Sequence, residues 1–205
     1  MKAYKEILAK YLPKETVDLV YNWIKEYRIG FRITRDRHSK QGDFRSGTSR
    51  KPHRITVNHN LNKYAFLLTF VHELAHLIVW EKYRNRARPH GTEWKHTFRE
   101  LMLPLLGKGV FPDDVEKAIA SYLINAKASS GADKNLASIL RKYDNQQQTL
   151  LEDLPINAVF RIYNGKTFKK IEKLRTRYRC LCLENKKMYY VHGMAPVAPI
   201  EPETV

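Results

Sequence analysis

Two histidines and a glutamate interrupt an apolar stretch of the sequence that runs from Phe70 to Val79. On a helix, residues four apart lie on the same face, so His72 and His76 could bind one metal ion together. The pattern His-Glu-x-x-His is typical of zinc hydrolases, in which the glutamate (here Glu73) takes a proton from water. Because unpaired polar groups are costly to bury, the pattern favours a metal site over two core histidines.

A catalytic zinc ion needs three protein ligands and an open fourth position, so a third ligand is required. Metzincins place it six residues after the second histidine, where this chain has Lys82, and that class is therefore excluded. We favour His90, which stands at a loop-to-helix junction before Gly91, whose backbone freedom permits a close approach. The rival ligands on the following helix are Glu93, Glu100 and His96.

The elements that must position these residues can be predicted from periodicity. Residues 4–28 have helical spacing, and residues 29–59 alternate as two or three antiparallel strands with polar turns. Asn62 is a predicted N-cap for a buried helix from Ala65 to Lys82. An amphipathic helix from Thr92 to Leu106 follows it, with Trp94 on the core side.

The rest of the chain is predicted to form two helices and then a small β unit. The helices span about Asp113–Ala126 and Leu136–Tyr143, with a linker between them at Ala128–Gly131. Residues 153–199 have the pattern of four strands, with a hairpin turn at Asn164-Gly165.

The charge of the chain is concentrated in two places. The net charge is +16, of which Arg28–Arg54 supplies +7 and Arg161–Lys187 supplies +8. Clustering of this kind favours a polyanionic partner such as DNA, although a solvated basic surface is the alternative. Three tyrosines near the second cluster (Tyr178, Tyr189 and Tyr190) could stack on single-stranded bases or pack in the sheet. The candidate nucleic-acid contacts are Arg32, Arg35, Arg37, Arg45, Lys169, Lys170, Arg175, Arg177 and Arg179.

Two cysteines, Cys180 and Cys182, are the only ones in the chain, which indicates a reducing compartment. They could share a second metal ion with His192, but plain core packing is favoured over a second zinc. No signal peptide is visible, and no apolar run approaches the ~20 residues of a membrane-spanning helix. We therefore expect a cytoplasmic protein without a membrane partner, associated with the nucleoid if it is bacterial.

The sequence from His72 to His76, followed by His90-Gly91-Thr92-Glu93-Trp94, resembles the SprT-like family of zinc metalloproteases. The similarity covers roughly residues 29–106. It implies one catalytic Zn²⁺ on His72, His76 and His90, with Glu73 as the general base. It also implies proteolysis of DNA-bound or DNA-crosslinked proteins, with DNA, particularly single-stranded DNA, as activator. Many family members carry a C-terminal zinc ribbon with four cysteines, and this chain retains only two.

The predicted fold class is α+β, in which a zincin-like core of helices and a small antiparallel sheet precedes a small antiparallel β domain. The predicted domains are a catalytic domain (1–111), a helical linker region (112–152), a basic β domain resembling a degenerate zinc ribbon (153–199) and a tail (200–205). The strand around Ile55–Asn58 could bind an extended substrate by adding a strand to the sheet. The predicted activity is zinc metalloendopeptidase. The alternative is a non-catalytic nucleic-acid-binding module with a structural zinc, against which Glu73 argues.

Overall fold

The computed structural model describes residues 2–37, 40–48, 50–124, 133–144 and 148–200. The chain divides into two compact units, Met1–Asn145 and Gln146–Val205. Helices and sheets occur together, which confirms the predicted α+β class. Within the described ranges, no helix is both long and apolar enough to cross a membrane.

Two short helices begin the first unit. Helix α1 spans Lys2–Ala9 and helix α2 spans Val17–Glu26. A 3-10 turn between them follows Pro13, whose carbonyl accepts a hydrogen bond of 2.8 Å from Thr16 Oγ1. The apolar faces of both helices contribute to the core, where aliphatic side chains such as Ile24 are buried. Their role is packing, as the helical periodicity predicts.

A three-stranded sheet follows, made of β1 (Gly30–Thr34), β2 (Gly42–Arg45) and β3 (Arg54–Asn58). The strand order is β1-β3-β2, with β3 antiparallel to β2 and parallel to β1. The prediction of an antiparallel sheet was therefore wrong for the β1–β3 pair. The chain crosses from β1 to the far edge of the sheet before it returns through β3, and alternation within a strand carries no information on strand direction.

The central strand β3 is paired on both sides, so it has no free edge for a substrate. The predicted strand addition at Ile55–Asn58 is consequently wrong, because every backbone position that could pair with a peptide already faces β1 or β2. The edges of this sheet are β1 and β2.

Helix α3 spans Lys63–Tyr83 and lies against β2, β3 and the helix that follows. Its N-cap is Asn62, as predicted: the side-chain oxygen accepts hydrogen bonds from the N–H groups of Tyr64 (3.1 Å) and Ala65 (3.0 Å). The helix is apolar on nearly all sides because it is surrounded by other elements, and twelve of its residues are buried.

The described part of the first unit contains three further α-helices: α4 (Thr92–Met102), α5 (Asp113–Ile124) and α6 (Lys134–Arg141). All three contribute buried side chains to the core that contains α3. The predicted linker at 128–131 lies outside the described residues. The domain boundaries predicted at residues 111 and 152 stay predictions.

The second unit contains one antiparallel sheet with the strand order β7-β6-β5-β4-β8. Four of its strands were predicted, and the fifth, β8, was missed because Pro196 and Pro199 argue against a strand. Proline is tolerated there because β8 lies at the edge of the sheet, where it pairs only with β4. The strands are β4 (Val159–Arg161), β5 (Thr167–Lys173), β6 (Arg177–Cys182), β7 (Met188–His192) and β8 (Ala198–Ile200).

The inner face of this sheet includes a lysine among its apolar side chains. Lys170 is 2% exposed, and its Nζ donates hydrogen bonds to the carbonyls of Leu151, at 2.7 Å, and Leu154. The ammonium group also lies 3.9 Å from the centre of the Tyr178 ring. The side chain of Lys170 is thus buried and hydrogen-bonded in the interior, so the structure does not support its prediction as a nucleic-acid contact.

Candidate metal centre

His72 and His76 lie one turn apart on α3, and their Nε2 atoms are 3.2 Å from each other. This is the convergence that their four-residue spacing predicts. Both rings are half-buried, whereas the helix around them is almost entirely in the core. The helix therefore presents two imidazole nitrogens to one point.

His90 reaches the same point from the loop that precedes α4. Its Nε2 atom lies 2.9 Å from that of His76 and 3.1 Å from that of His72. The backbone of His90 has φ +56°, a left-handed conformation that non-glycine residues seldom adopt. Such strain is typical of functional positions that the surrounding structure holds in place.

Gly91 contributes differently from the prediction. It is the N-cap of α4 in extended conformation, so the unusual backbone belongs to His90 and not to the glycine. A methyl group at residue 91 would lie 3.0 Å from the carbonyl oxygen of Arg88. A side chain at residue 91 would therefore crowd this tight turn, in which the Gly91 N–H donates a 3.0 Å hydrogen bond to that same carbonyl.

The three imidazoles form a group that could hold a metal ion. Three nitrogen ligands at tetrahedral positions around zinc would be about 3.3 Å apart, given zinc–nitrogen distances of about 2.0–2.1 Å. The observed separations of 2.9–3.2 Å are close to that value. Burial, together with the neighbouring histidines, lowers the pKa of His72 to about 3 and that of His76 to about 4. The rings are thus neutral at physiological pH, the state in which imidazole binds metals.

Trp94 packs against the three histidines. Its ring centre lies 4.6 Å from that of His72, 4.8 Å from that of His90 and 5.4 Å from that of His76. The ring also stacks on Phe98, with the ring centres 4.9 Å apart. Trp94 is fully buried, as predicted for a core residue. The sequence did not reveal that it also supports all three rings, although its position four residues after His90 is the signal that could have indicated this.

Glu73 follows His72 on α3 and is only 8% exposed. Burial is the main reason why its pKa rises to about 7, and the charge of Asp43 raises it further. A hydrogen bond from the backbone N–H of Phe44, together with the charges of Arg37 and Lys40, acts in the opposite direction. Glu73 is therefore a buried carboxyl group that can gain or lose a proton near neutral pH.

Strand β2 passes very close to this carboxyl group at Gly42. A methyl group at residue 42 would lie 2.7 Å from Glu73 Oε1 and 2.7 Å from Thr69 Cγ2. Carbon atoms do not approach other atoms so closely without displacement, so only glycine fits between β2 and α3 here. The sequence reasoning missed Gly42, because nothing in the local pattern reveals the distance between a strand and a helix.

A polar network holds the segment that leads into β2. Arg37 donates hydrogen bonds to Asn58 Oδ1 (2.8 Å) and Thr56 Oγ1 (3.1 Å) on β3. Asn58, which is 2% exposed, donates in turn from its side chain to the carbonyl of Lys40 at 2.9 Å. The predicted nucleic-acid contact Arg37 is thus directed at the sheet, where it fixes the approach to Gly42.

The other polar side chains considered for this centre lie elsewhere. His96 is exposed and pairs with Glu100 at 3.2 Å, and Glu93 is likewise outside the group of three histidines. Arg99, which also lies on α4, donates a 2.8 Å hydrogen bond to the carbonyl of Leu123.

The remaining basic candidates lie at the surface to different degrees. Arg45 is exposed but paired with Asp43 at 2.9 Å, and Arg179 is paired with Glu172 at 3.0 Å. Lys169 is partly buried on β5. The other exposed candidates are Arg32, Arg35, Arg175 and Arg177.

Cys180 and Cys182 are both buried in the core of the second unit. Cys182 Sγ donates to a carboxylate oxygen of Glu184 at 3.0 Å. His192, the third ligand considered for them, is exposed and pairs in register with Arg177 on β6. Core packing therefore accounts for the positions of both thiols.

A helix with two histidines and a buried glutamate, completed by a histidine before the next helix, defines a candidate metal-binding protein of mixed α and β structure. The sequence model of the SprT-like family matches residues 7–111, just over half of the chain. The chain belongs to this family, which is associated with metalloprotease activity, and the predicted membership is confirmed. Searches among curated proteins and among solved structures find no significant match.

Proposed function

We propose that the protein is a zinc-dependent metalloendopeptidase of the SprT-like type. The observation that carries this proposal is the combination of three convergent neutral imidazoles with a neighbouring buried carboxyl group whose pKa is about 7. A centre with a purely structural metal has no need of such a carboxyl group.

His72, His76 and His90 would hold the zinc ion, for which their nitrogen chemistry and spacing are suited. When bound, the metal would supply Lewis acidity to a water molecule and to a substrate carbonyl group. Among the described residues, no fourth histidine, cysteine or carboxylate joins the group. Structural zinc sites usually have four protein ligands, so three ligands favour a catalytic centre over the alternative of a structural zinc module.

Glu73 is the residue to which we assign proton transfer. With a pKa of about 7, its carboxylate can accept a proton from water and return it to the leaving amine at neutral pH. Its orientation depends on the N–H of Phe44 and on the close passage of Gly42. The position of the proposed general base therefore depends on strand β2.

The same strand is our candidate for substrate binding. β2 is an edge of the sheet and packs against α3 at Glu73, so its outer backbone groups could pair with an extended peptide. A peptide bound in this way would lie along the side of the helix that carries the proposed base.

We further propose that the substrates are DNA-bound or DNA-crosslinked proteins and that DNA activates the enzyme. The net charge of +16 and the exposed arginines at positions 32, 35, 175 and 177 support an association with DNA. Arg37 and Lys170 are no longer among the proposed contacts, because both are directed inward.

The test is cleavage of a DNA-binding protein by the metal-free protein and by the same sample after addition of zinc. Each sample is assayed with and without a single-stranded oligonucleotide. We expect cleavage only with zinc, and faster cleavage with DNA. Cleavage that persists without metal would contradict the metal assignment, and a rate that DNA leaves unchanged would contradict the proposed activation. Stoichiometric zinc binding without cleavage of any protein would favour the non-catalytic alternative.

A further inference from the structure

His53 immediately precedes β3, and its ring joins the loop between β2 and β3 to helix α3. In that loop, the Gly47 N–H donates a 2.9 Å hydrogen bond to His53 Nδ1. The other ring nitrogen, Nε2, lies 3.3 Å from Oε1 of Glu81 on α3. The His53 side chain is only 15% exposed, so the ring is largely enclosed by the elements that it contacts.

The hydrogen bond from Gly47 determines which nitrogen of the neutral ring carries the proton. A backbone N–H can only donate, so Nδ1 must be the unprotonated acceptor. The ring proton is therefore on Nε2, the atom that faces the Glu81 carboxylate. His53 thus accepts from the loop with one nitrogen and donates toward the helix with the other.

The loop that His53 holds is itself a compact turn. Thr48 and Lys51 exchange two backbone hydrogen bonds, of 2.9 and 3.1 Å. A methyl group at residue 47 would lie 2.6 Å from the carbonyl carbon of Pro52 and 2.7 Å from the His53 N, so the turn closes tightly on Gly47. Because the turn is closed in this way, its attachment to α3 also restrains the end of β2 that enters it.

Aromatic contacts extend the same attachment. The centre of the His53 ring lies 5.1 Å from that of Trp80 on α3, in an edge-on arrangement, and 5.9 Å from that of Phe44 on β2. Trp80 is held in turn by Arg84, whose guanidinium carbon lies 4.0 Å from the centre of the Trp80 ring. His53 therefore contacts a fixed ring of the helix and a ring of the strand at the same time.

Strand β2 is thus attached to one face of α3 at two points. The first is Glu73, which accepts a hydrogen bond from the Phe44 N–H. The second is Trp80, seven residues later and so on the same face, about 10 Å further along the helix. Because β2 is a strand of only four residues at the edge of the sheet, its pairing with β3 alone restrains it weakly, and its position depends on both attachments.

We propose that His53 is a positioning residue that holds β2 against α3, in the place where the strand can pair with a substrate peptide. The inference rests on the proposed function, in which β2 binds the peptide beside Glu73. Without the His53 ring, the far end of β2 leaves α3 for part of the time, and the apparent affinity for peptide falls with the fraction of chains in which the strand is in place. A bound peptide returns the strand to its place, so the rate of the bound complex changes little.

The first experiment needs no proteolysis. It measures amide hydrogen exchange over residues 42–47 of the full-length, zinc-loaded chain by mass spectrometry. His53→Ala should accelerate this exchange about 2- to 13-fold, the change in an opening equilibrium that corresponds to the loss of one neutral hydrogen bond. The matched control is His59→Ala, which removes an exposed histidine from the turn after β3 and should exchange like the wild type.

Two further variants separate the hydrogen bond from the packing of the ring. His53→Asn keeps an acceptor for the Gly47 N–H and should exchange like the wild type. His53→Phe keeps a ring against Trp80 but has no acceptor, so it should exchange like His53→Ala.

The second experiment measures kcat and KM for peptide cleavage by the same variants at equal zinc content. His53→Ala should raise KM about 2- to 13-fold with kcat nearly unchanged, and His53→Asn should restore KM. Unchanged exchange over residues 42–47 in His53→Ala, restoration by phenylalanine instead of asparagine, or an unchanged KM in an enzyme that is only less stable would each overturn the proposal. If exchange responds as expected but the zinc-loaded wild type cleaves nothing, the proposed protease function fails while the role of His53 in holding β2 stands.

Discussion

Gly42→Ala isolates the contact between β2 and the proposed general base. The added methyl group would lie 2.7 Å from Glu73 Oε1 and 2.8 Å from Glu73 Cγ. Relief of this overlap requires either rotation of the carboxyl group away from the Phe44 N–H or an outward movement of β2. Neither change involves the three histidines, so we expect a loss of activity with metal affinity retained.

The magnitude follows from two opposing effects on stability. Overpacking of a close-packed site costs about 1–3 kcal/mol, and replacement of glycine by alanine in the unfolded chain returns about 0.4–1 kcal/mol. The expected net loss is roughly 1–2 kcal/mol in the free energy of unfolding. Because a displacement of catalytic groups by 1 Å can reduce the rate ~100-fold, the loss of activity should exceed the loss of folded protein by far.

The assay combines urea unfolding, zinc titration and peptide cleavage at a temperature where both variants are folded. Gly30→Ala is the matched control, because it lies on the other edge strand and its methyl group would meet His53 O at 3.3 Å without approaching Glu73. If Gly42→Ala were as active and as stable as Gly30→Ala, the proposed role of β2 would be refuted. Parallel loss of zinc affinity would show that the histidines depend on β2 as well.

Three further predictions concern the titratable residues of the centre. In metal-free protein, the free energy of unfolding of Glu73→Gln relative to that of the wild type should rise by roughly 2 kcal/mol between pH 5 and pH 8, because a carboxyl group with a raised pKa of about 7 destabilises the folded wild type as it ionises. Urea unfolding in the presence of a chelator measures this difference, and the same difference at both pH values would contradict the prediction. In the Glu73→Gln variant, the free energy of unfolding should fall as the pH drops from 6.5 toward 4, because His72 and His76 stay neutral in the folded chain but take up protons in the unfolded chain. A free energy of unfolding that does not change with pH would contradict the burial of these two rings in the neutral form. His90→Ala should weaken zinc binding by more than about 100-fold, because loss of a residue that only hydrogen-bonds to a metal ligand costs up to about 100-fold. His96→Ala, in which the lost histidine pairs with Glu100, should bind zinc normally in the same competition titration.

The sequence predicted the parts of this centre that depend on local periodicity. Two histidines four residues apart on a helix lie on the same face. Asn62 was predicted to begin that helix because its side chain can accept hydrogen bonds from the first N–H groups, as it does in the structure. His90, favoured for its position at the loop-to-helix junction, lies with this pair in the structure, and its role as a metal ligand stays a prediction.

The parts that sequence did not predict depend on contacts between distant segments. The parallel pairing of β1 with β3 results from a chain crossing that local alternation does not encode. Gly42 matters because β2 passes close to Glu73 of α3, and Arg37 matters because it donates a hydrogen bond to Asn58 of β3. Such contacts between elements cannot be read from the residue type alone, because glycine, arginine and asparagine have many other roles. Lys170 was misassigned because basic residues in a strand are usually exposed, whereas here backbone carbonyls and a tyrosine ring compensate its burial.

The most direct test of the central claim is peptide cleavage by wild type and Glu73→Gln, both loaded with one zinc ion per chain. Equal zinc content removes metal loss as an explanation, and the glutamine preserves the shape of the side chain while it lacks the capacity to accept a proton. We predict that the two proteins bind zinc equally and that only the wild type cleaves the substrate. Equal rates of cleavage would contradict the assignment of Glu73 as the general base.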